Sequence, residues 1–267
     1  MNTHRIATLI GKELREFRAN PSAVLPVAIV SGVCIALPFI VIIFIPSFTG
    51  ESLAEDRSMR EIVATVLPGL SSLPPDAAIQ AFLFQQFLML FLVNPIIGAV
   101  SLAAYSVVGE KQGRTLEPLL TTPLTTTELL LAKVLAAFLP SIVVEAIGLA
   151  IYLGLVSALA LPGVVGEILT ARSVVLLGVI GPLASLAALQ MTIAVSSRVN
   201  DVRSAQQIAV LLVLPLVVML VGQIAGLFII TMPMLVLLAI ALAALWSGLI
   251  VLSVALFERE TILTRWK

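Results

Sequence analysis

The sequence predicts an all-α, polytopic membrane protein with six transmembrane helices. Of its 267 residues, 60% are hydrophobic and only 11% are charged, whereas soluble domains carry roughly a quarter charged residues. The apolar residues gather into long uncharged runs, each of the length a membrane-crossing helix needs. The 54 residues 204–257 contain no charge at all. A membrane β-barrel would instead alternate polar and apolar residues in segments of about ten, a pattern the chain lacks.

The first unit is residues 1–21. In IATLIGKELREF and the residues beside it, Ile6, Leu9, Ile10, Leu14 and Phe17 share one helical face, and Arg5, Lys12, Arg15 and Arg18 take the other. A helix of this kind lies in the membrane interface. Glu13 falls on the apolar side and does not fit the pattern. Asn20-Pro21 breaks the helix before the first span. The apolar run that follows, 22–46, is too long for a cleavable signal, and no small-residue cleavage site closes it.

The second unit, 22–257, holds the spans, at about 22–46, 79–108, 129–158, 173–196, 206–230 and 233–257. The last two follow from a length argument. A single helix over 204–257 would reach about 80 Å, against a hydrocarbon core of about 30 Å. The chain must therefore turn back, and GLFIITMP at 226–233 is the expected place. Residues 258–267 form a short tail.

Lysine and arginine placement sets the orientation. With six spans both ends share a side with the segments 109–128 and 197–205. That side carries Arg5, Lys12, Arg15, Arg18, Lys111, Arg114, Arg198, Arg203, Arg259, Arg265 and Lys267, with Lys133 expected to snorkel to it from just inside the third span. The other side carries Arg57, Arg60 and Arg172. This 12 to 3 division of the 15 bases predicts cytoplasmic termini and a multi-pass protein of the cytoplasmic membrane. The opposite loop, 47–78, is acidic through Glu51, Glu55, Asp56, Glu61 and Asp76 and irregular through Pro68, Pro74 and Pro75. It reads either as a cap over an exit or as a solvated connector.

The segment 109–128, GEKQGRTLEPLLTTPLTTTE, is organised. Leu116, Leu119, Leu120 and Leu124 fall on one face of a short helix. Thr115 suits its N-cap. Pro118 lies in the first turn, where its missing N–H costs nothing, and Pro123 ends the helix at Thr122. Thr125-Thr126-Thr127-Glu128 is a capping box that starts the third span. A leucine face at the membrane surface needs a cover, either lipid headgroups or a partner protein.

GEKQGRTLEPLLTTPLTTTELLLAKVLAA resembles the connection between the second and third spans of type-2 ABC exporter permeases. Glu110, Lys111, Gly113, Thr115, Leu116, Glu117, Leu119, Leu120, Thr122 and Pro123 match that family's pattern, with Arg114 inserted after Gly113. KELREFRANPSAVLPV is similar to the family's connecting helix. The resemblance implies that 109–128 is a coupling helix seated in a cleft of a separate cytoplasmic ATPase, with Leu124 joining the leucine face. It also implies a homodimer of permeases exporting a substrate, hydrophobic or amphipathic to judge by the charge-poor spans. ATP is then bound by the partner, and this chain holds no cofactor. In agreement, no G-x-x-x-x-G-K-[ST] occurs: Gly11-Lys12 lacks the upstream glycine and is followed by Glu13. Two other classes are a secondary transporter, whose mark would be several intramembrane charges or internal repeats, and a non-transporting scaffold.

Within the spans, Glu145 is the one deep acid, either a site for a cationic cargo or proton or a hydrogen-bonded structural glutamate. Asn94-Pro95 is a candidate kink lining a pathway. Gln85, Gln86, Gln190 and Gln223 read as interhelical hydrogen-bonding positions. His4 is the only histidine and Cys34 the only cysteine, which argues against a metal site or a histidine-assisted catalytic centre in the membrane. A net charge of zero argues against nucleic-acid binding.

Overall fold

The structure, a computed structural model, describes residues 3–50, 53–55, 57–66, 69, 73–114, 125–199, 201–211, 214–224 and 230–256. Among these residues every regular element is a helix. Five are long and apolar enough to cross a membrane: Ala23–Thr49, Pro75–Gln112, Thr126–Leu159, Ala171–Ser196 and Met232–Leu256. A bent pair, Val202–Ala209 and Leu214–Gln223, with 45° between its halves, brings the crossings to six when its halves are taken as one broken span, the fifth in chain order. Two hydrogen bonds set its course. Gln206 donates to Ser101 of the second span at 3.3 Å, and Gln223 donates to Gln86 of the same span at 3.3 Å. Ser101 and Gln86 are about 22 Å apart along a helix, so the pair runs across most of the apolar layer. The fifth span, expected over about 206–230, is therefore a broken one among its described residues. Pro215, in the first turn of the second half, cannot donate to the Leu211 carbonyl, so the helix restarts there.

Other irregularities also have local causes. Pro95 cannot donate to the Phe91 carbonyl, and the second span passes through a 3-10 turn, Met89–Leu92, before it resumes at Val93. The first span loosens into a π-helical turn at Ile40–Phe44 and ends at Gly50, whose φ of 72° is left-handed and whose N–H reaches the Pro46 carbonyl at 2.9 Å. The 47–78 loop contains a helix, Arg57–Val66, with an exposed Arg57–Glu61 ion pair of 3.1 Å.

The second and fourth spans share the most extensive helix contact. Ala99, Ala103 and Ala104 on one and Ala184, Ala187 and Ala188 on the other are all buried. Between lipid-immersed helices association depends on close approach, which small residues permit. Phe39, Phe84, Phe91 and Tyr152 lock the first three spans together as tilted and edge-on ring pairs 5.1–6.1 Å apart, with the Tyr152 hydroxyl donating to the Phe84 carbonyl at 2.7 Å. The outward faces are bare and apolar: Leu25 and Ile29 on the first span, Val143 and Ile147 on the third, Leu237 and Val251 on the sixth are exposed. In a membrane these face lipid.

Gly98 marks a close approach of the second and third spans. A methyl group there would sit 2.8 Å from Ser141 Oγ and 3.1 Å from its Cβ. Gly98→Ala should therefore lower the melting temperature of the purified chain, with a strain cost of about 1–3 kcal/mol. Gly154→Ala, where a methyl meets nothing within 4 Å, should melt no lower than wild type, since alanine is the better helix former.

The N-terminal helix Thr3–Ala19 is amphipathic, and much of its apolar face is turned onto protein. Ile6 and Leu9 pack on Leu129 and Ala132 of the third span, and Phe17 joins Leu102, Leu130 and Val134. The start of the third span presents a matching apolar surface, so Ile6, Leu9 and Phe17 of the stripe are buried by the bundle while Leu14 stays exposed.

Candidate functional site

The coupling-type segment is held at both ends. The second span ends at Gln112, and Gly113 caps it with an N–H bond of 2.8 Å to the Gly109 carbonyl. Arg114 has φ 52°, a left-handed conformation that ends helices and turns the chain. On the far side of the segment the capping box is present: Glu128 N–H donates to Thr125 Oγ1 at 3.2 Å and Thr125 N–H donates to Glu128 Oε2 at 3.1 Å. Thr115, Leu116, Glu117, Leu119, Leu120, Thr122, Pro123 and Leu124, and with them the expected short helix, lie outside the described residues.

Close to both roots of the segment is a buried charge cluster. Lys133 is 1% exposed and Glu13 is fully buried. Lys133 Nζ lies 2.9 Å from Glu13 Oε1 and 2.8 Å from Glu110 Oε2. It also donates to the Ser106 carbonyl at 3.1 Å and to Ser106 Oγ at 2.8 Å. Lys12 closes the network, 2.6 Å from Glu110 Oε1 and 3.3 Å from Glu16. Lys133 does not snorkel outward as expected, because two carboxylates await it inside. Glu13, the misfit on the apolar face of its helix, is explained by the same pairing. Glu110, matched to the family motif, is turned into the bundle and is 4% exposed.

Burial pulls the Lys12 ammonium down, but its hydrogen bond to Glu110 and the charges of Glu110, Glu13 and Glu16 together hold it above its ordinary range. Its contribution is therefore complete below about pH 10 and is lost only as pH rises through the raised value. Lys111 points elsewhere. Its Nζ donates to the carbonyls of Ser196, Ser197 and Val199 at 3.1, 3.1 and 2.8 Å, neutralising the C-terminal end of the fourth span. One short stretch thus ties the N-terminal helix and the second, third and fourth spans to the two roots of the segment.

The pathway candidates form a second centre, about 24 Å away along the second span. Asn94 Nδ2 donates to Glu145 Oε2 at 2.9 Å, and Asn94 Oδ1 is 2.8 Å from Ser31 Oγ, which can donate to it or to the Val27 carbonyl. Three spans are linked through neutral donors. Pro95 is buried with Asn94. Among the glutamines, Gln85 donates to Thr170 at 3.3 Å, alongside the Gln223–Gln86 bond. Glu145→Gln keeps an acceptor for Asn94 and should melt with wild type. Glu145→Leu leaves the Asn94 amide unpaired and should destabilise by about 1–3 kcal/mol, read as a lower melting temperature in detergent.

A family model described as "ABC-2 family transporter protein" matches residues 7–236. The chain belongs to the ABC-2 transporter family. Neither the curated proteins nor the solved structures gave a match. The match covers most of the N-terminal helix, the charge cluster, both roots of the coupling-type segment and the first five crossings. The chain is therefore a multi-pass membrane permease subunit of an ABC transporter, a family that works with an ABC ATPase subunit. In this permease Glu13, Ser106 and Lys133 were not singled out as a site from the sequence. Two signals pointed at them: an acid on an apolar helix face, and a lysine seven residues into a transmembrane helix that begins at Thr126.

Proposed function

We propose that this chain is the membrane half of an ATP-driven exporter, paired with a second copy of itself. It moves a hydrophobic or amphipathic substrate out of the cytoplasm or the inner leaflet. ATP is bound and hydrolysed by the separate ATPase subunit, and this chain carries no cofactor. Residues 109–128 couple the two: Leu116, Leu119, Leu120 and Leu124 seat in the ATPase, while Thr115, Glu117 and Pro123 shape the helix. The observation that carries this reading is the buried Glu13–Lys133–Glu110–Lys12 cluster. It converts both roots of the segment and the N-terminal helix into one electrostatically tied unit, so a displacement of the segment would be passed to the second and third spans. Asn94 and Glu145 are the polar positions, and Pro95 the kink, that such a movement would bring to the pathway. The low charge of the spans supports an apolar or amphipathic cargo, and the division of lysine and arginine supports cytoplasmic termini.

Purification through a tag on this chain, from mildly solubilised membranes, should retain an ATP-hydrolysing subunit in a one-to-one ratio. Tags at residues 1 and 267 should resist protease added outside intact cells, while a cleavage site placed at Glu55 should be cut. A preparation devoid of ATPase, or external cleavage of either terminal tag, would refute the arrangement.

A further inference from the structure

The same end of the bundle carries a groove that the coupling argument does not use. It lies between the N-terminal helix, which contributes Leu14, Phe17 and Arg18, the first span, which contributes Val24 and Val27, and the third span, which contributes Val144. Its volume is about 310 Å³, at the lower end of the range of small-molecule sites. The walls are apolar, and the one hydroxyl among them, Ser141 Oγ, already donates to the Ala137 carbonyl at 2.8 Å. Apart from Arg18 at the mouth, the lining side chains offer no charged group, so the groove suits a hydrocarbon occupant.

Two further observations say which hydrocarbon. The groove opens onto the lipid-facing surface: Val24 is 43% exposed, and its neighbours Leu25 on the first span and Leu139 and Val143 on the third are about half exposed. An acyl chain can therefore slide in sideways from the bilayer without crossing water. At the mouth stands Arg18, exposed, in the last turn of the N-terminal helix just before the chain turns into the first span. Among the described residues no carboxylate forms an ion pair with it. A guanidinium over an apolar slot at headgroup level complements an anion carried on a hydrocarbon tail.

We propose that this groove is a binding site for one anionic membrane phospholipid, with an acyl chain between Phe17, Val27 and Val144 and the phosphate on Arg18. The bound lipid fills the space that the N-terminal helix leaves beside the first and third spans, and so anchors that helix. The site depends on neither the ATPase nor the direction of transport.

The test uses the full chain reconstituted in nanodiscs of equal parts phosphatidylglycerol and phosphatidylcholine, released into detergent, with retained lipid identified by native mass spectrometry. Wild type should retain phosphatidylglycerol over phosphatidylcholine by about fivefold, the effect of one arginine near an anionic surface. Arg18→Glu should abolish that preference, while Arg60→Glu, the same charge change at the other end of the protein, should leave it intact. Val24→Trp, at an exposed wall position where bulk can enter the groove without disturbing the core, should lower retention of both lipids. Equal retention of the two lipids by wild type would overturn the headgroup assignment. Retention unchanged in Val24→Trp would overturn the groove as the acyl site. Efficient disulfide cross-linking of Val24→Cys between two permease copies would show that a second chain, and no lipid, covers the groove.

Discussion

Lys133→Met should cost the folded permease about 3–5 kcal/mol, the penalty for breaking a buried ion pair by removing one partner. The substitution keeps the side chain's length and bulk. It leaves Glu13 and Glu110, both almost wholly buried, facing each other without the ammonium that lies 2.9 and 2.8 Å from them. Ser106 loses a donor to its carbonyl as well. Lys12 compensates only in part, since it is engaged with Glu110 and stands 4.0 Å from Glu13. Thermal unfolding in detergent should register the loss as a drop of about 6–20 °C. The triple variant Lys133→Met, Glu13→Gln, Glu110→Gln should recover much of it, because no buried charge is then left uncompensated. If Lys133→Met melted with wild type, the cluster would contribute nothing to the fold. The electrostatic tie between the N-terminal helix and the roots of the coupling-type segment would lose its physical basis.

Leu120→Asp should detach or uncouple the ATPase while leaving the permease inserted and folded. Apolar side chains at the centre of an interface carry most of its energy, and truncating a strong one costs about 2 kcal/mol or more. A carboxylate in the same place must also be desolvated against an apolar groove. Leu119→Ala should act in the same direction with a smaller effect. Arg114 and Glu117, as rim charges, should alter association rate and salt dependence more than affinity. The measurement is the amount of ATPase retained on the tagged permease, together with ATP hydrolysis by the purified complex. A Leu119/Leu120 double variant with full ATPase retention and full transport would remove the leucine face from the coupling mechanism. A variant that fails to insert would assign these leucines to the packing of the permease itself. The two experiments separate cleanly, since Lys133 reports on the ties within this chain and Leu120 on the contact with its partner.

The all-helical, membrane-spanning character of the chain, the approximate limits of five crossings, the distribution of positive charge and the capping box at Thr125–Glu128 were legible in the chain, because each follows from local composition or from spacings of a few residues. The lipid-facing surfaces follow from the same hydropathy. The break in the fifth crossing was also written locally, in Pro215, but a 54-residue uncharged run hides a proline from an argument based on length. The pairings were decided elsewhere. Lys133 and Glu13 are 120 residues apart, and Asn94 and Glu145 are 51. Whether such residues meet depends on how each helix is rotated about its axis and how far it slides along its neighbour. Those two quantities are set by close packing at sites such as Gly98 against Ser141 and the alanine seam of the second and fourth spans, not by mean hydropathy. An isolated acid on an apolar face therefore reads as a flaw in one dimension. It becomes the partner of a buried lysine only when the third span is laid against it in three.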